Sequence, residues 1–237
     1  LLAKAGFKEV LTLAGGYKAF RNQVLSEFDL PLELNVLGGY TGTGKSELLR
    51  MLQDQKEQII DLELLACHKG SSFGALGQPA QPSTEYFENL LWQCMRELDR
   101  SKPVWIEDES PMIGRVRIPD SLFKQMRQAP LFFMEMPIEQ RALRLVEEYG
   151  VHPIEELSAA IDRIAKRVGP QHAKEAKEAL QENDLLTVVL IVLRYYDKAY
   201  LRGSMERNEK KTKRIPLNNN EMHLHVDRLR EHVTSNI

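Results

Sequence analysis

The stretch Gly39-Tyr40-Thr41-Gly42-Thr43-Gly44-Lys45-Ser46 decides the fold, because it fits the pattern G-x-x-x-x-G-K-[ST] in full. An apolar run at residues 32–37 precedes it, and an amphipathic helix is predicted from residue 45 to about residue 55. A P-loop in this setting holds phosphate on backbone N–H groups, and the helix N-terminus adds partial positive charge. The sequence therefore predicts a phosphate-binding site made by Gly39, Thr41, Gly42, Thr43, Gly44, Lys45 and Ser46.

Further apolar strands alternate with helices along the chain. Strands are predicted at residues 9–13, 59–62, 104–107 and 131–136, and a helix starts near Tyr17. After Pro137 the pattern is helical at 138–149, 154–168, 171–182 and 184–201, before a strand near 214–217 and a helix at 220–233. We therefore predict an α/β fold, a P-loop NTPase-like parallel sheet with helices on both faces, followed by a mainly helical C-terminal part.

The predicted strand at 104–107 runs into a cluster of three acidic residues, Glu107, Asp108 and Glu109. A P-loop magnesium site uses an acid at the end of a neighbouring strand, and alternation points Glu107 and Glu109 to one side and Asp108 to the other. We expect Asp108 to face a Mg²⁺ ion beside Ser46, with Glu107 next in preference. A weaker candidate is Asp61, at the end of the adjacent strand. Alternatively, these acids cap the next segment or pair with Arg115 and Arg117.

A second candidate is the loop His68-Lys69-Gly70-Ser71-Ser72-Phe73-Gly74. Its position after a strand places it at the ligand-facing edge of a parallel sheet. His68 and Lys69 are expected to reach an anion, and Phe73 is expected to stack on a base or an apolar chain, with Gly70 and Ser71 between them. A solvated loop without a ligand has the same composition.

Charge and cysteine content restrict the classes of protein. The net charge of −2 excludes a uniformly basic surface, but a local basic segment with Lys210, Lys211, Lys213 and Arg214 can contact nucleic-acid phosphates or simply be solvated. Cys67 and Cys94 form no disulfide framework, and no apolar run is long enough to span a membrane. We expect a reduced, cytoplasmic protein.

Two further features of the sequence bear on function. The sequence lacks the guanine-reading N-K-x-D motif. Surface positions are expected for His223, His225 and His232.

Several stretches together resemble the P-loop domain of tRNA 2-selenouridine synthase, in order over most of residues 34–202. The most distinctive is Trp105-Ile106-Glu107-Asp108-Glu109-Ser110 with Ile113-Gly114-Arg115. The others are Leu37-Gly38 with the P-loop and Glu47-Leu48-Leu49, Asp61-Leu62-Glu63, the loop 68–74, Pro82-Ser83 before Phe87-Glu88-Asn89, and Tyr195-Tyr196-Asp197 with Tyr200.

The resemblance implies a domain organisation. Residues 1–22 look like the tail of a rhodanese domain, 23–150 like the P-loop α/β domain, and 151–237 like a helical C-terminal extension that is a candidate for tRNA contact. In this family the rhodanese cysteine lies upstream of the segment that residues 1–22 resemble, and neither Cys67 nor Cys94 is expected to replace it. The chain is therefore expected to carry the P-loop half of the activity.

The resemblance also implies a reaction and its participants. The family replaces sulfur by selenium in 2-thiouridine at the tRNA wobble position, with selenophosphate as donor, through an S-geranyl intermediate made from geranyl diphosphate. Lys45, Asp108, Glu107 and Arg115 are the expected catalytic residues, with Mg²⁺ on Ser46 and Asp108. The expected tRNA contacts are Lys210, Lys211, Lys213 and Arg214, and an enzyme that produces selenophosphate is an expected partner. The alternatives are an ATP-dependent P-loop kinase and a non-catalytic tRNA-binding module.

Overall fold

A computed structural model of the chain describes residues 2–204, 209–218 and 222–234. The strands are β1 (Leu34–Gly39), β2 (Gln58–Ile60), β3 (Val104–Glu107), β4 (Met112–Ile113), β5 (Val116–Arg117), β6 (Leu131–Glu135) and β7 (Thr212–Pro216). The helices are α1 (Gly16–Glu27), α2 (Lys45–Asp54), α3 (Leu62–Ala66), α4 (Thr84–Arg96), α5 (Asp120–Gln128), α6 (Ile138–Tyr149), α7 (Ile154–Val168), α8 (Pro170–Gln181), α9 (Leu185–Ser204) and α10 (Met222–Thr234).

Within these residues, five parallel strands form one sheet in the order β2-β3-β1-β6-β7. The P-loop strand β1 lies at its centre, where Val36 pairs with Ile106 of β3 and with Leu131 of β6. All six residues of β1 are buried, as a strand covered on both faces requires. The predicted α/β fold with a parallel sheet is confirmed.

Alternation along β1 divides its side chains between the two faces of the sheet. Leu34 and Val36 belong to the core that contains Phe87 of α4, whereas Leu37 belongs to the core that contains Val226 of α10. The two periodicities, two residues for a strand and 3.6 for a helix, match these faces to their covering helices. The strand that leads into the P-loop is therefore packed against a hydrophobic core on each face of the sheet.

The helices α6, α7, α8 and α9 enclose a third core. The apolar side chains Leu157, Ile161 and Ile164 of α7 pack there with Val188 and Leu193 of α9. The chain then returns to the sheet, because β7 pairs with β6 and α10 packs on α2. The mainly helical part thus lies between two elements of the P-loop sheet.

The N-terminal segment differs from its prediction. Residues 9–13 form no strand: they have no strand partner, and Leu11 is 97% exposed. Helix α1 instead crosses the predicted domain boundary at residue 22 and packs on α4, where the rings of Phe20 and Trp92 meet edge to face at 5.3 Å. The proposed origin of residues 1–22 and the boundary at residue 150 remain predictions.

In the described residues, none of the helices has both the length and the apolar character needed to cross a membrane.

Candidate functional site

The P-loop runs from the end of β1 to the start of α2, as predicted. Gly42 and Gly44 have φ angles of +85° and +78°, a region that favours glycine. Both also lie against other chain segments: a Cβ on Gly42 would be 3.1 Å from the Arg141 carbonyl oxygen, and one on Gly44 would be 2.7 Å from Arg144 Nη2. The glycines of the motif therefore permit both the turn and its contact with α6.

The N-terminus of α2 points into a cleft and carries the polar groups of the motif. Gly44 is the N-cap and offers no side chain to the N–H groups of the first turn, which have no intrahelical acceptors at any helix start. Lys45 Nζ donates to the Gly39 carbonyl oxygen at 3.2 Å. Thr43 is fully buried and its hydroxyl donates to the Tyr40 carbonyl oxygen at 2.8 Å, so its side chain shapes the loop.

Ser46 is paired with an acid that sequence reasoning did not select. Its hydroxyl donates to Glu63 Oε2 at 2.8 Å. Glu63 lies in the first turn of α3, shortly after Asp61, whose carboxylate caps that helix by accepting from Leu64 N at 2.7 Å. The signal was present, because the rule that an acid follows a neighbouring strand applies to β2 as well as to β3.

Glu107 and Glu109 point to the same side, as alternation along β3 predicted, and Glu63 lies on that side. The fully buried Glu107 accepts from Glu63 N at 3.1 Å through Oε2. A Cβ on Gly70 would lie 2.9 Å from Glu109 Oε2 and 3.2 Å from Glu63 Oε1. Gly70 of the predicted loop therefore lets two carboxyl groups approach each other beside Ser46.

Crowding of these carboxyl groups changes their acidity. Burial, followed by the charge of Glu63, raises the pKa of Glu109 to about 8. The same two causes raise the pKa of Glu107 well above its usual value. Burial also raises the pKa of Glu63, although the Lys45 ammonium and the Ser46 hydroxyl oppose it. The three carboxyl groups are therefore more stable when they bind protons or another cation than when all three are ionised and unpaired.

Asp108 points away from this cluster, to the other side of β3. Its Oδ2 accepts from the Tyr200 hydroxyl at 2.6 Å, and its Oδ1 lies 4.0 Å from Arg127 Nη1. Asp108 does line the cleft, but the structure places Glu63, rather than Asp108, against Ser46. The expected role of Asp108 as the magnesium acid remains a prediction.

Residues 69–72 of the loop 68–74 line the same cleft as the P-loop. Lys69 lines the cleft and is paired with Glu148. His68 is buried, and burial together with the Arg163 charge lowers its pKa, so the imidazole is neutral near pH 7 and adds no cation. Phe73 stacks on Tyr149 at 5.1 Å inside the core of the helical part, so its ring is occupied by the protein itself.

These elements enclose a cleft of about 1370 Å³, larger than the roughly 300–1000 Å³ of ordinary small-molecule sites. The P-loop, the acids after β2 and β3, residues 69–72 and three tyrosines of α9 line it. The tyrosines are Tyr195, Tyr196 and Tyr200. The cleft is therefore larger than a small phosphorylated molecule alone would need.

Two groups of predicted residues lie elsewhere. Arg115 is exposed between β4 and β5, where its backbone N–H donates to Gln81 Oε1 at 3.0 Å, and it is not among the residues that line the cleft. Lys210, Lys211, Lys213 and Arg214 lie at and before the edge strand β7. Lys211 donates to the Gln128 carbonyl oxygen at 2.7 Å, and Arg214 is paired with Glu135.

The histidines grouped in the sequence do not behave as a set. His225 is buried, and its Nε2 lies 3.0 Å from the backbone of Asn218. This corrects the expectation of a surface position for His225. The side chains of His223 and His232 lie outside the described residues.

The buried Arg141 was not selected from the sequence either. Its guanidinium donates to Asp197 Oδ1 at 2.9 Å and Oδ2 at 2.6 Å, to the Met136 carbonyl oxygen at 3.0 Å and to the Thr41 carbonyl oxygen at 3.1 Å. The cation also lies 5.0 Å from the Tyr40 ring. The P-loop is therefore tied through α6 to α9.

The residues around Ser46 fit a magnesium ion. Mg²⁺ takes oxygen ligands, and Ser46 Oγ and Glu63 supply two, beside Glu107 Oε1, which is buried and has no hydrogen-bond partner in the described chain. No set of three His, Cys, Asp or Glu side chains in that part of the chain is placed to hold a metal alone. A P-loop ion is completed by waters and phosphate oxygens.

The chain was compared with models of known protein families. The family model described as the tRNA 2-selenouridine synthase AAA domain matches residues 32–234. The chain belongs to the tRNA 2-selenouridine synthase family. The match includes the P-loop, both acid-bearing strand ends and α9, so the site lies within the family's domain.

Two curated proteins named tRNA 2-selenouridine synthase show how similar this chain is to other members of the family. The tRNA 2-selenouridine synthase of Sulfurovum sp. (strain NBC37-1) is 34% identical, over 87% of this chain and 64% of its own length. The one of Shewanella piezotolerans is 37% identical, over 71% of this chain and 45% of its own. The chain therefore spans about half to two thirds of the length of these synthases.

Among solved structures, a gluconokinase from Sinorhizobium meliloti 1021 matches 87% of this chain and 97% of its own, with a TM-score of 0.36 and 15% identity. A TM-score this low supports no conclusion about function.

We predict that Glu109→Gln flattens the pH dependence of stability. The pKa of Glu109 in the folded protein, about 8, lies above the usual value of 4.5. Its contribution to stability is therefore complete below about pH 4.5 and is lost as the pH rises through about 8. The free energy of unfolding should fall less for Glu109→Gln than for the wild type between pH 5 and pH 8.5, as measured by denaturant titration.

The control is Glu155→Gln, at an exposed position of α7, which should follow the wild type. Mg²⁺ should reduce the difference between wild type and Glu109→Gln, because a cation stabilises the ionised carboxylates. Equal pH dependence in the wild type and Glu109→Gln would contradict the proposed crowding.

Proposed function

We propose that this chain carries the phosphate-binding half of an enzyme that converts wobble 2-thiouridine in tRNA to 2-selenouridine. The P-loop holds the diphosphate of geranyl diphosphate, and the cleft admits the anticodon region of the tRNA. Family membership supports the overall reaction. The observation that carries the proposal is the position of Lys45 and the α2 N-terminus at a large cleft beside an apolar wall.

The P-loop suits the leaving group of a prenyl donor. Diphosphate gains negative charge when its bond to carbon breaks, and fixed donors at that point stabilise the transition state more than the ground state. Lys45 supplies a full charge, and the N–H groups of the P-loop and of the first α2 turn supply partial charges. Mg²⁺ on Ser46 and Glu63 supplies further charge neutralisation when it is bound.

An apolar wall next to the P-loop suits the geranyl chain. Leu145, Tyr149 and Tyr196 line both the cleft and a narrow apolar cavity, whose other lining residues include Thr41, Val189 and Val192. This cavity holds only about 10 Å³ in this structure. The prenyl chain therefore lies along the shared wall or widens the cavity as it enters.

The proposed reaction has two covalent stages. In the first, the sulfur of 2-thiouridine attacks C1 of the geranyl group, the carbon–oxygen bond breaks, diphosphate leaves with the electron pair, and the uridine loses its N3 proton. In the second, the selenium of selenophosphate adds at C2, geranyl thiolate leaves, and water removes the phosphoryl group. A selenophosphate-producing enzyme is the expected supplier of the second donor.

The expected tRNA surface lies at the edge of the sheet that ends with β7. Lys210 and Lys211 form a 3-10 turn directly before β7, and Lys213 and Arg214 lie on that strand. Lys213 Nζ lies 5.2 Å from the Phe132 ring and the Arg214 guanidinium 5.4 Å from the Phe133 ring, so their stems pack on β6 while the region remains basic. A basic edge of this kind contacts phosphates without reading bases.

We predict that Lys45→Ala strongly reduces prenyl transfer. The protein is incubated with Mg²⁺, geranyl diphosphate and an anticodon stem-loop containing 2-thiouridine, and mass spectrometry measures the geranylated RNA. Loss of a charge that stabilises the leaving group should reduce the adduct by about 100-fold or more. Lys18→Ala, an exposed lysine in α1, is the control and should match the wild type.

Two further measurements on the same variants, ATP hydrolysis without RNA and binding of the stem-loop, distinguish the two alternatives. Hydrolysis of ATP without RNA, with no geranyl adduct, would indicate a P-loop kinase. RNA binding that weakens in Lys45→Ala, with no adduct from any variant, would indicate a non-catalytic tRNA-binding module. Either result contradicts the proposed transferase.

We predict that Lys210→Glu, Lys211→Glu and Lys213→Glu together weaken tRNA binding and reduce its salt dependence. Each phosphate contact contributes about 0.7–0.9 to the slope of log K against log salt concentration, so the slope should fall by about 2. Charge reversal at three other exposed lysines, Lys18, Lys102 and Lys174, is the control. An unchanged slope in the first triple variant would exclude this edge from the tRNA interface.

A further inference from the structure

Helix α6 is packed directly on the P-loop at its first turn. The carbonyl oxygen of Arg141 lies 3.1 Å from the position that a Cβ on Gly42 would occupy, and its Cβ lies 3.2 Å from that position. The Arg141 guanidinium holds the Thr41 carbonyl oxygen from the same turn. Because Arg141 is 2% exposed and its guanidinium donates to four acceptors, the place of α6 relative to the P-loop is fixed.

Three residues later, α6 brings a second guanidinium to the mouth of the site. Arg144 Nη2 lies 2.7 Å from the position of a Cβ on Gly44, the N-cap of α2. Arg144 lines the cleft together with Lys45 and Ser46, and its side chain is 24% exposed. The cation therefore lies where phosphate oxygens held by the α2 N-terminus would be within reach.

One partner of Arg144 is an anion of the chain itself. Arg144 Nη2 donates to Glu47 Oε2 at 2.5 Å. Glu47 is in the first turn of α2, so its carboxylate lies beside the same helix N-terminus that attracts phosphate. Its side chain is 43% exposed, so it can return to water at little cost when another anion takes its place on the guanidinium.

We propose that Arg144 is a second phosphate-binding cation of this site, and that Glu47 occupies its guanidinium when no ligand is bound. This inference rests on the proposed binding of a diphosphate by the P-loop. An arginine presents two parallel N–H donors to phosphate, which a lysine does not, so Arg144 favours a ligand with two neighbouring phosphate oxygens. The class of ligand is a diphosphate or the polyphosphate end of a nucleotide.

The proposal gives opposite effects for two substitutions at one ion pair. Arg144→Ala removes a ligand contact and should weaken diphosphate binding. Glu47→Gln removes the competing anion and should strengthen it. If the pair were only structural, both substitutions would change binding in the same direction or leave it unchanged.

The experiment is isothermal titration of the chain with inorganic diphosphate in the presence of Mg²⁺. Arg144→Ala should bind about tenfold or more weakly than the wild type, as loss of a charge-assisted hydrogen bond implies. Arg144→Lys should fall between them because it keeps the charge and loses the paired donors. Glu47→Gln should bind several-fold more tightly, and Arg100→Ala, a remote arginine paired with Glu27, should match the wild type.

Three results would contradict the inference, and they are distinguishable. Binding by Arg144→Ala within twofold of the wild type, while Lys45→Ala loses binding, would remove Arg144 and leave the proposed phosphate site intact. Failure of the wild type itself to bind diphosphate would remove both proposals. Weaker diphosphate binding by Glu47→Gln would also contradict the proposal that Glu47 competes with the ligand for Arg144. This test does not depend on whether Arg144→Ala folds, because Glu47→Gln keeps Arg144.

Discussion

The ion pair between the buried Arg141 and the partly exposed Asp197 is the interaction on which the rest of the site depends. Arg141 comes shortly after β6, on α6, and Asp197 lies 56 residues further on, in α9. The same guanidinium also holds the carbonyl oxygens of Thr41 and Met136. A buried charge that loses its partner destabilises a fold by roughly 3–5 kcal/mol, so this geometry is strongly constrained. The P-loop, the end of β6 and α9 consequently keep one arrangement.

Helix α9 adds two more contacts to that arrangement. The Tyr196 hydroxyl accepts from Ser72 N at 2.8 Å, and the Tyr200 hydroxyl donates to Asp108 at 2.6 Å. Within two turns, α9 thus reaches the loop 68–74, the P-loop through Arg141, and the end of β3. Three walls of the cleft are thus held by one helix of the helical part, which explains why the P-loop half and the helical half form a single site.

The sequence predicted the parts of this structure that local rules control. The eight-residue motif and the apolar strands determined the P-loop, the parallel sheet and the direction of Glu107 and Glu109. Arg141, Arg144 and Asp197 were missed because each acts through a partner 56 to 100 residues away in sequence. Glu63 was missed although it follows β2, because Asp61 was the candidate acid at that strand end. Phe73 and His68 were expected to contact a ligand. In the structure Phe73 packs on Tyr149 and His68 lies beside Gly74, so both side chains contact the protein itself. Spacing alone cannot separate a ligand contact from a core contact at such positions.

Hydrogen exchange of the P-loop in Asp197→Asn tests the central claim that α9 holds the P-loop through Arg141. The peptide covering residues 39–46 should exchange at least about tenfold faster in Asp197→Asn than in the wild type, because local opening becomes easier. Asp162→Asn, which removes the exposed pair with Lys177 in the helical part, should leave that peptide unchanged. Faster exchange confined to α9, with the P-loop peptide unchanged in Asp197→Asn, would contradict the account.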